Sequence, residues 1–287
     1  MTNDAYHIAQ PAARTTSVIF ASPHSGRDYA DAFLRSAVLD HVEIRSSEDA
    51  FVDLLYADAP DHGAPFLTAK APRAYLDLNR GVEEMDAGLI AGVRRVSQNP
   101  RVASGLGVIP RVVANGQLIY RGKLTLAEAH NRIATYWRPY HDALQSLIDE
   151  SRMQFGEAIL IDCHSMPHEA MENVSLSGAN RPDIVLGDRF GASAGSVVVE
   201  QVESAFAAAG FTVARNMPFA GAYIVQNYGR PSRKQHAIQV EIDRALYMDE
   251  ATLTLSDGFD DVRQRLGMAM AQIAQIGRAT PLSVAAE

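Results

Sequence analysis

Short apolar runs alternate along this chain with longer stretches of helical spacing. Residues 17–21, Ser-Val-Ile-Phe-Ala, predict a first buried strand that Pro23 stops. Ser46-Ser47-Glu48-Asp49 has the pattern of a helix start, with Phe51, Leu54 and Leu55 on one face. Residues 65–69 and 73–78 predict two more strands, and 81–107, with Gly, Asn and Pro and weak periodicity, a surface loop with short helices. The longest helical pattern covers 126–155, with a kink expected near Pro139. Residues 157–163 hold the run Ala-Ile-Leu-Ile, which suits a central strand buried on both faces. A loop over 165–181 follows, then a strand at 183–186 and a helix at 193–209 that Gly210 ends. Over 237–243 the pattern alternates, with Ile238, Val240 and Ile242 on one face and Gln239, Glu241 and Asp243 on the other. Much of 248–276 predicts a last helix. Strands alternating with helices predict an α/β fold: a mixed, mostly parallel central sheet flanked by helices.

Composition adds bounds. The chain has 287 residues, 47% hydrophobic and 21% charged, the balance of a soluble protein with a large core. No Pro-, Gly- or Ser-rich linker divides it, so a single domain over 1–287 is expected, although roughly 150 residues per domain would allow two. A net charge of −8 argues against a nucleic-acid partner and obliges any anionic substrate to find a local basic pocket. The single cysteine, Cys163, excludes a disulfide framework within the chain and fits a reducing compartment. Residues 1–10 carry Asp4 and His7 and lack the apolar core of a signal peptide, and no apolar run approaches the ~20 residues of a membrane span. A cytoplasmic protein with no membrane partner is expected; the sequence assigns no oligomeric state.

The chemistry sits at strand ends. His24, in Ser22-Pro23-His24-Ser25-Gly26, and His164, in Asp162-Cys163-His164-Ser165, each follow an apolar run directly. In open α/β sheets, ligands gather beyond the carboxyl ends of the strands. Two imidazoles there could share one metal ion, and catalytic zinc takes three protein ligands and leaves a position for water. Glu48 and Asp49 are the adjacent candidates for the third ligand, against their ordinary preference for the first turn of a helix. Asp162, two residues before His164, could orient an imidazole from behind. Glu241, late in a strand whose other face is apolar, is the candidate general base; an ion pair with Arg244 or Lys234 is the alternative. The arginines of the segment from Arg73 to Arg80, with Asn79 beside the second, offer forks for a carboxylate. Arg230, in a basic cluster after Tyr228-Gly229, is expected near the same end of the sheet. Cys163 must face away from His164 on a strand and reads as a core residue.

Taken together, these pieces resemble the N-formylglutamate amidohydrolase family. The matching segments are Pro23-His24-Ser25-Gly26; Glu48-Asp49 with Val52-Asp53-Leu54-Leu55-Tyr56; and Arg73 with Asp77-Leu78-Asn79-Arg80. Asp162-Cys163-His164-Ser165-Met166-Pro167, Tyr228-Gly229-Arg230-Pro231 and Gln239 through Glu250 complete the set. The resemblance implies a fold like that of the zinc exopeptidases and hydrolysis of an N-formyl amide to formate and glutamate, as in histidine breakdown. It implies zinc, or another divalent metal, on His24, His164 and an acid of the Glu48/Asp49 pair. Glu241 would be the general base and Arg73 would stabilise the oxyanion. Asn79 and Arg80, with Arg230, would hold a substrate carboxylate. The implied partner is a small anionic N-acyl amino acid. Another N-acyl amino acid or a short peptide is the alternative substrate, and a non-catalytic carboxylate-binding protein the alternative class.

Overall fold

A computed structural model describes residues 4–93, 99–171 and 181–278. Seven strands form one sheet: β1 (Tyr6–Ala9), β2 (Val18–Ser22), β3 (Phe66–Ala69), β4 (Ala158–Met166), β5 (Ile184–Gly187), β6 (Val213–Arg215) and β7 (Gln235–Asp243). Their order is β1-β3-β2-β4-β7-β5-β6. The central strands β3, β2, β4 and β7 run parallel, whereas β1 is antiparallel to β3 and β5 to β7. The expected mixed, mostly parallel sheet flanked by helices is therefore present.

The unbroken apolar runs follow from burial on both faces. Val18 and Phe20 of β2, and Ile159, Ile161 and Cys163 of β4, enter one core. Ile19 and Ala21, and Ala158 and Leu160, enter the other. Helices Ser196–Ala208 and Phe259–Ile276 cover the first face. Each aims apolar positions three or four apart at the sheet, such as Val198, Val202 and Ala205, and Val262, Leu266 and Met270. Helix Arg138–Phe155 covers the second face with Tyr140, Leu144, Leu147 and Ile148. Toward the carboxyl ends of β4 and β7 that second face turns polar, with Asp162 beside Gln239 and His164 beside Glu241 in register.

Several expected elements differ. Strands β1 and β6 were not anticipated, being four and three residues long with weak alternation. Residues 73–78 form no strand; they run irregularly, burying Leu76 and Leu78 in the second core and Asp77 at the polar end. The helix expected from Ser46 shrinks to Val52–Leu55, entered through Phe51 in a left-handed conformation (φ 65°). Its buried face is Val52 and Leu55, and Leu54 is exposed. In place of the expected kink at Pro139 there is a π-helical turn over Ile133–Trp137, which ends two residues before the proline whose missing N–H breaks the α-helical ladder. The last helix starts only at Phe259, because a short hairpin, Met248–Asp249 with Thr254–Leu255, occupies the earlier residues. Of the expected loops, residues 94–98 and 172–180 lie outside the described residues.

Candidate functional site

The carboxyl ends of β2, β4 and β7 open into a cavity of about 190 Å³ lined by His24, Asp49, Arg73, His164 and Glu241, among others. The turn after β2 carries His24, and the end of β4 carries His164. Asp49 is tied to the first of these through its main chain, its N–H donating to the His24 carbonyl at 3.1 Å. One donor atom from each of His24, Asp49 and His164 lies within 4.8 Å of the others, and all three residues are buried.

The ring nitrogens divide their work. His24 Nε2 lies 2.8 Å from Asp77 Oδ1, so its Nε2–H donates there and Nδ1 keeps its lone pair for the cavity. That Nδ1 is buried with no hydrogen-bond partner among the described residues, 3.4 Å from Asp49 Oδ2. His164 faces Asp49 Oδ2 with Nδ1 at 2.9 Å and Asp162 Oδ2 with Nε2 at 3.0 Å. The second contact is an ion contact and not a well-angled hydrogen bond, since among the described residues the wholly buried Asp162 carboxylate has no hydrogen bond of good geometry. Two imidazole nitrogens and one carboxylate oxygen, each imidazole backed by a carboxylate, suit a divalent metal.

The charges are strongly coupled. Burial works against the ionised Asp49, but His164 and His24 outweigh it and hold the carboxyl well below its usual range. Burial likewise opposes charge on His164, and Asp162 and Asp49 overcome it, raising the imidazole well above the ordinary histidine value. Asp77 is also buried against its charge, yet Arg73, His24 and Arg80 keep it well below normal. Arg244 donates from Nη2 to Asp49 Oδ1 at 3.0 Å and from Nε to Ser165 Oγ at 3.1 Å. This leaves Asp49 Oδ2 as the oxygen shared by the two imidazoles.

Glu241 stands on the same wall. Its Oε1 accepts from Gln239 Nε2 at 2.7 Å. Burial pushes its carboxyl up to about 7; His164 pulls it down, Asp49 pushes it up, and Arg73 and Arg244 pull it down again. Among the described residues it forms no ion pair with Arg244 or Lys234, since Arg244 is committed to Asp49 and Ser165. Arg73 donates from Nε to Asp77 Oδ2 at 3.0 Å and lines the cavity. Arg80 also lines it, donating from Nε to the Leu106 carbonyl and from Nη1 to the Asn79 carbonyl.

Two expected site residues, Glu48 and Arg230, fall elsewhere, and a third, Asn79, is placed differently from its expected role. Glu48 turns away from the metal-ligating cluster: its carboxylate accepts from Tyr29 Oη at 2.6 Å and from Arg45 Nε at 3.0 Å. Asn79 lines the cavity but spends its amide internally, Oδ1 accepting from the Ile224 N–H at 2.7 Å and Nδ2 lying 3.3 Å from His164 Nε2. Arg230 is exposed and pairs through its main chain with Gln235, at the amino end of β7. Six residues of strand, about 20 Å at the usual rise, separate that level from Glu241. Its guanidinium donates instead to the carbonyls of Gln226 and Gly229. Cys163 belongs to the opposite core, where burial raises its thiol well above the usual value. The sequence reading gives no role to Gln239 or Arg101 and names Arg244 only as an alternative ion-pair partner of Glu241; all three line the cavity. The alternation of β7 did put Gln239 on the face of Glu241, and that was the available signal.

The fold and this constellation define an α/β protein with a buried two-histidine, one-carboxylate cluster beside an acidic residue and a wall of arginines. The sequence profile described as N-formylglutamate amidohydrolase matches residues 16–248, and the chain belongs to that family. It is similar to an N-formylglutamate deformylase of Pseudomonas putida, 30% identical over 240 residues, which covers 81% of this chain and 82% of that protein. A Pseudomonas aeruginosa protein of the same name is 29% identical over the same shares. The crystal structure of an N-formylglutamate amidohydrolase from Ralstonia eutropha JMP134 superposes with a TM-score of 0.88 at 33% identity, covering 96% of this chain and 98% of that one. An Agrobacterium tumefaciens protein shares the fold at 16% identity and a TM-score of 0.61, over 94% and 96% of the two chains.

Proposed function

We propose that this chain hydrolyses the amide of N-formyl-L-glutamate to formate and L-glutamate, with His24, Asp49 and His164 holding a divalent metal, zinc by the donor chemistry. The observation that carries the reading is the convergence of Glu241, the three donors and the arginine wall on one cavity, in a chain of this family. When bound, the ion supplies Lewis acidity at the scissile carbonyl and makes water easier to deprotonate.

The protein's own groups do the rest. Glu241 takes a proton from the attacking water and passes it to the leaving nitrogen as the C–N bond breaks; the remaining proton of the new acid then moves to the amine, so the products are a carboxylate and an ammonium group. The Arg73 guanidinium, oriented by Asp77 through Nε, offers its terminal N–H groups to the developing oxyanion. Arg80 Nη2, which makes no hydrogen bond among the described residues, is free for a substrate carboxylate. These cations supply locally what an overall charge of −8 withholds. A reducing compartment suits a chain whose one cysteine is a free buried thiol, and the role in histidine breakdown rests on the resemblance alone.

Formate release from N-formyl-L-glutamate, measured on chelator-stripped protein before and after reloading with zinc, tests the proposal. Turnover should depend on the added metal. N-Formyl-aspartate and N-acetyl-glutamate, run in parallel, should be slower. A metal-loaded protein that releases no formate overturns the reading.

A further inference from the structure

We propose that Gln239 is a positioning residue for Glu241, and that its amide determines which carboxylate oxygen receives the proton. This rests on the assignment of Glu241 as the base. Gln239 and Glu241 are two residues apart on β7, so their side chains leave the same face of the strand as neighbours. Gln239 is buried, 4% exposed. Its Nε2 donates to Glu241 Oε1 at 2.7 Å, and its Oε1 accepts from the Ala222 main-chain N–H at 3.0 Å.

The network fixes the direction of this amide. A main-chain N–H can only donate, so Ala222 claims Oε1 and leaves the –NH₂ group for the carboxylate. Turning the amide over would set donor against donor at Ala222 and acceptor against acceptor at Glu241. Ala222 is itself held in place, because it leads into helix Tyr223–Tyr228, whose Ile224 N–H donates to Asn79 Oδ1 at 2.7 Å. The chain of contacts therefore runs from a fixed backbone to Glu241. Oε1 is occupied, while Oε2 makes no hydrogen bond among the described residues and is the atom left to accept a proton. Because glutamine is neutral, it aims the carboxylate without adding the positive charge that would depress its basicity. Arg73 and Arg244 act on the carboxylate only through space, since among the described residues their hydrogen bonds go to Asp77, Asp49 and Ser165 and not to Glu241.

The test uses the metal-loaded enzyme. Gln239→Met keeps length and burial but removes both hydrogen bonds, and should lower kcat about tenfold to hundredfold while leaving KM within about twofold. Gln239→Glu, assayed at a pH at which both carboxyls are ionised, retains an acceptor for Ala222 and loses the donor to Glu241, so it should lose at least as much; simple anchoring of the loop would be preserved by it. In a Glu241→Asp background, whose shorter carboxylate falls out of reach of Gln239, adding Gln239→Met should cost less than about twofold, a non-additivity expected of a coupled pair. A crystal structure of Gln239→Met should show Glu241 in a different rotamer. Unchanged kcat in Gln239→Met, or an equal loss in both backgrounds, overturns the proposal. If Gln239→Met fails to fold, Gln239→Glu decides: wild-type kcat in that variant overturns it. Wild-type turnover in Glu241→Gln would instead sink the base assignment, whatever the Gln239 variants do.

Discussion

Asp49 Oδ2 lies 2.9 Å from His164 Nδ1 across 115 residues of chain, and the other oxygen of the same carboxylate is held by Arg244 at 3.0 Å. One oxygen is thus fixed by a cation and the other is turned to the imidazoles. Asp49→Asn keeps the shape and puts an amide where Oδ2 needs a negative charge. It should lower metal affinity by more than about a hundredfold, since removing mere supporting partners already costs about 10–100-fold. Metal content by elemental analysis after dialysis against a metal buffer is the measurement. Wild-type occupancy in this variant would remove Asp49 from the ligand set.

The carboxylate behind His164 gives a graded companion. Asp162 is wholly buried, and His164 Nε2 lies 3.0 Å from its Oδ2. Asp162→Asn should weaken metal binding by about 10–100-fold and leave the three donors in place. A titration with a competing chelator reads this directly. A variant with unaltered affinity would show that Asp162 does no more than fill space.

How much of this was legible in the sequence depended on how local the signal was. β2 and β4 were visible because burial on both faces leaves an unbroken apolar run, and the two histidines follow those runs directly. The pairing partners of these strands were not visible, and β1 and β6 are too short to carry a period. Glu48 and Asp49 could not be told apart, since adjacent acids in a turn can face either way. What separates them is three-dimensional: Tyr29 and Arg45 claim Glu48, and the main chain of Asp49 is tied to His24. Residues 73–78 alternate apolar and polar without being a strand, because Leu76 and Leu78 reach the core while Asp77 reaches His24. Alternation reported the two environments correctly and the backbone wrongly.

Glu241→Gln separates chemistry from binding. The amide is nearly isosteric and cannot accept the proton of an attacking water. It should lower kcat about 10²–10⁴-fold with KM little changed. Metal content should be retained, because Glu241 is not among the three converging donors. Parallel loss of metal and activity would mean that Glu241 supports the ligand cluster and is not a base.

His141 predicts how stability depends on pH. Its Nε2 lies 2.9 Å from the Leu78 carbonyl and must donate there, so Nδ1, 2.8 Å from Tyr228 Oη, accepts. The ring is neutral, and burial lowers its pKa from 6.5 to about 4, the Leu78 carbonyl pulling the other way. The unfolded chain takes up this proton near 6.5 and the folded chain only near 4. The contribution is therefore fully present above pH 6.5 and is lost as pH falls from there toward 4. Between pH 7.5 and 4.5 it amounts to about 2 to 3 kcal/mol. Urea unfolding at those two pH values should show a smaller loss for His141→Gln than for the wild type by about that amount. Equal losses would show that the ring titrates normally.

The contrast between two arginines tests the arrangement of the substrate end. Arg80 is 3% exposed and lines the cavity, whereas Arg230 is exposed at the amino end of β7. A charge-assisted hydrogen bond is worth about 1.5–3 kcal/mol. Arg80→Lys, which keeps the charge but loses the fork, should therefore raise KM for N-formyl-L-glutamate by about tenfold or more. Arg230→Ala should leave kcat/KM within about twofold, because among the described residues its guanidinium hydrogen-bonds only to the carbonyls of Gln226 and Gly229. Initial-rate kinetics on both variants, with melting temperatures as a check on folding, make the comparison. A large loss on Arg230→Ala together with a silent Arg80→Lys would reverse the assignment and place substrate recognition at the wrong end of the sheet for this cavity.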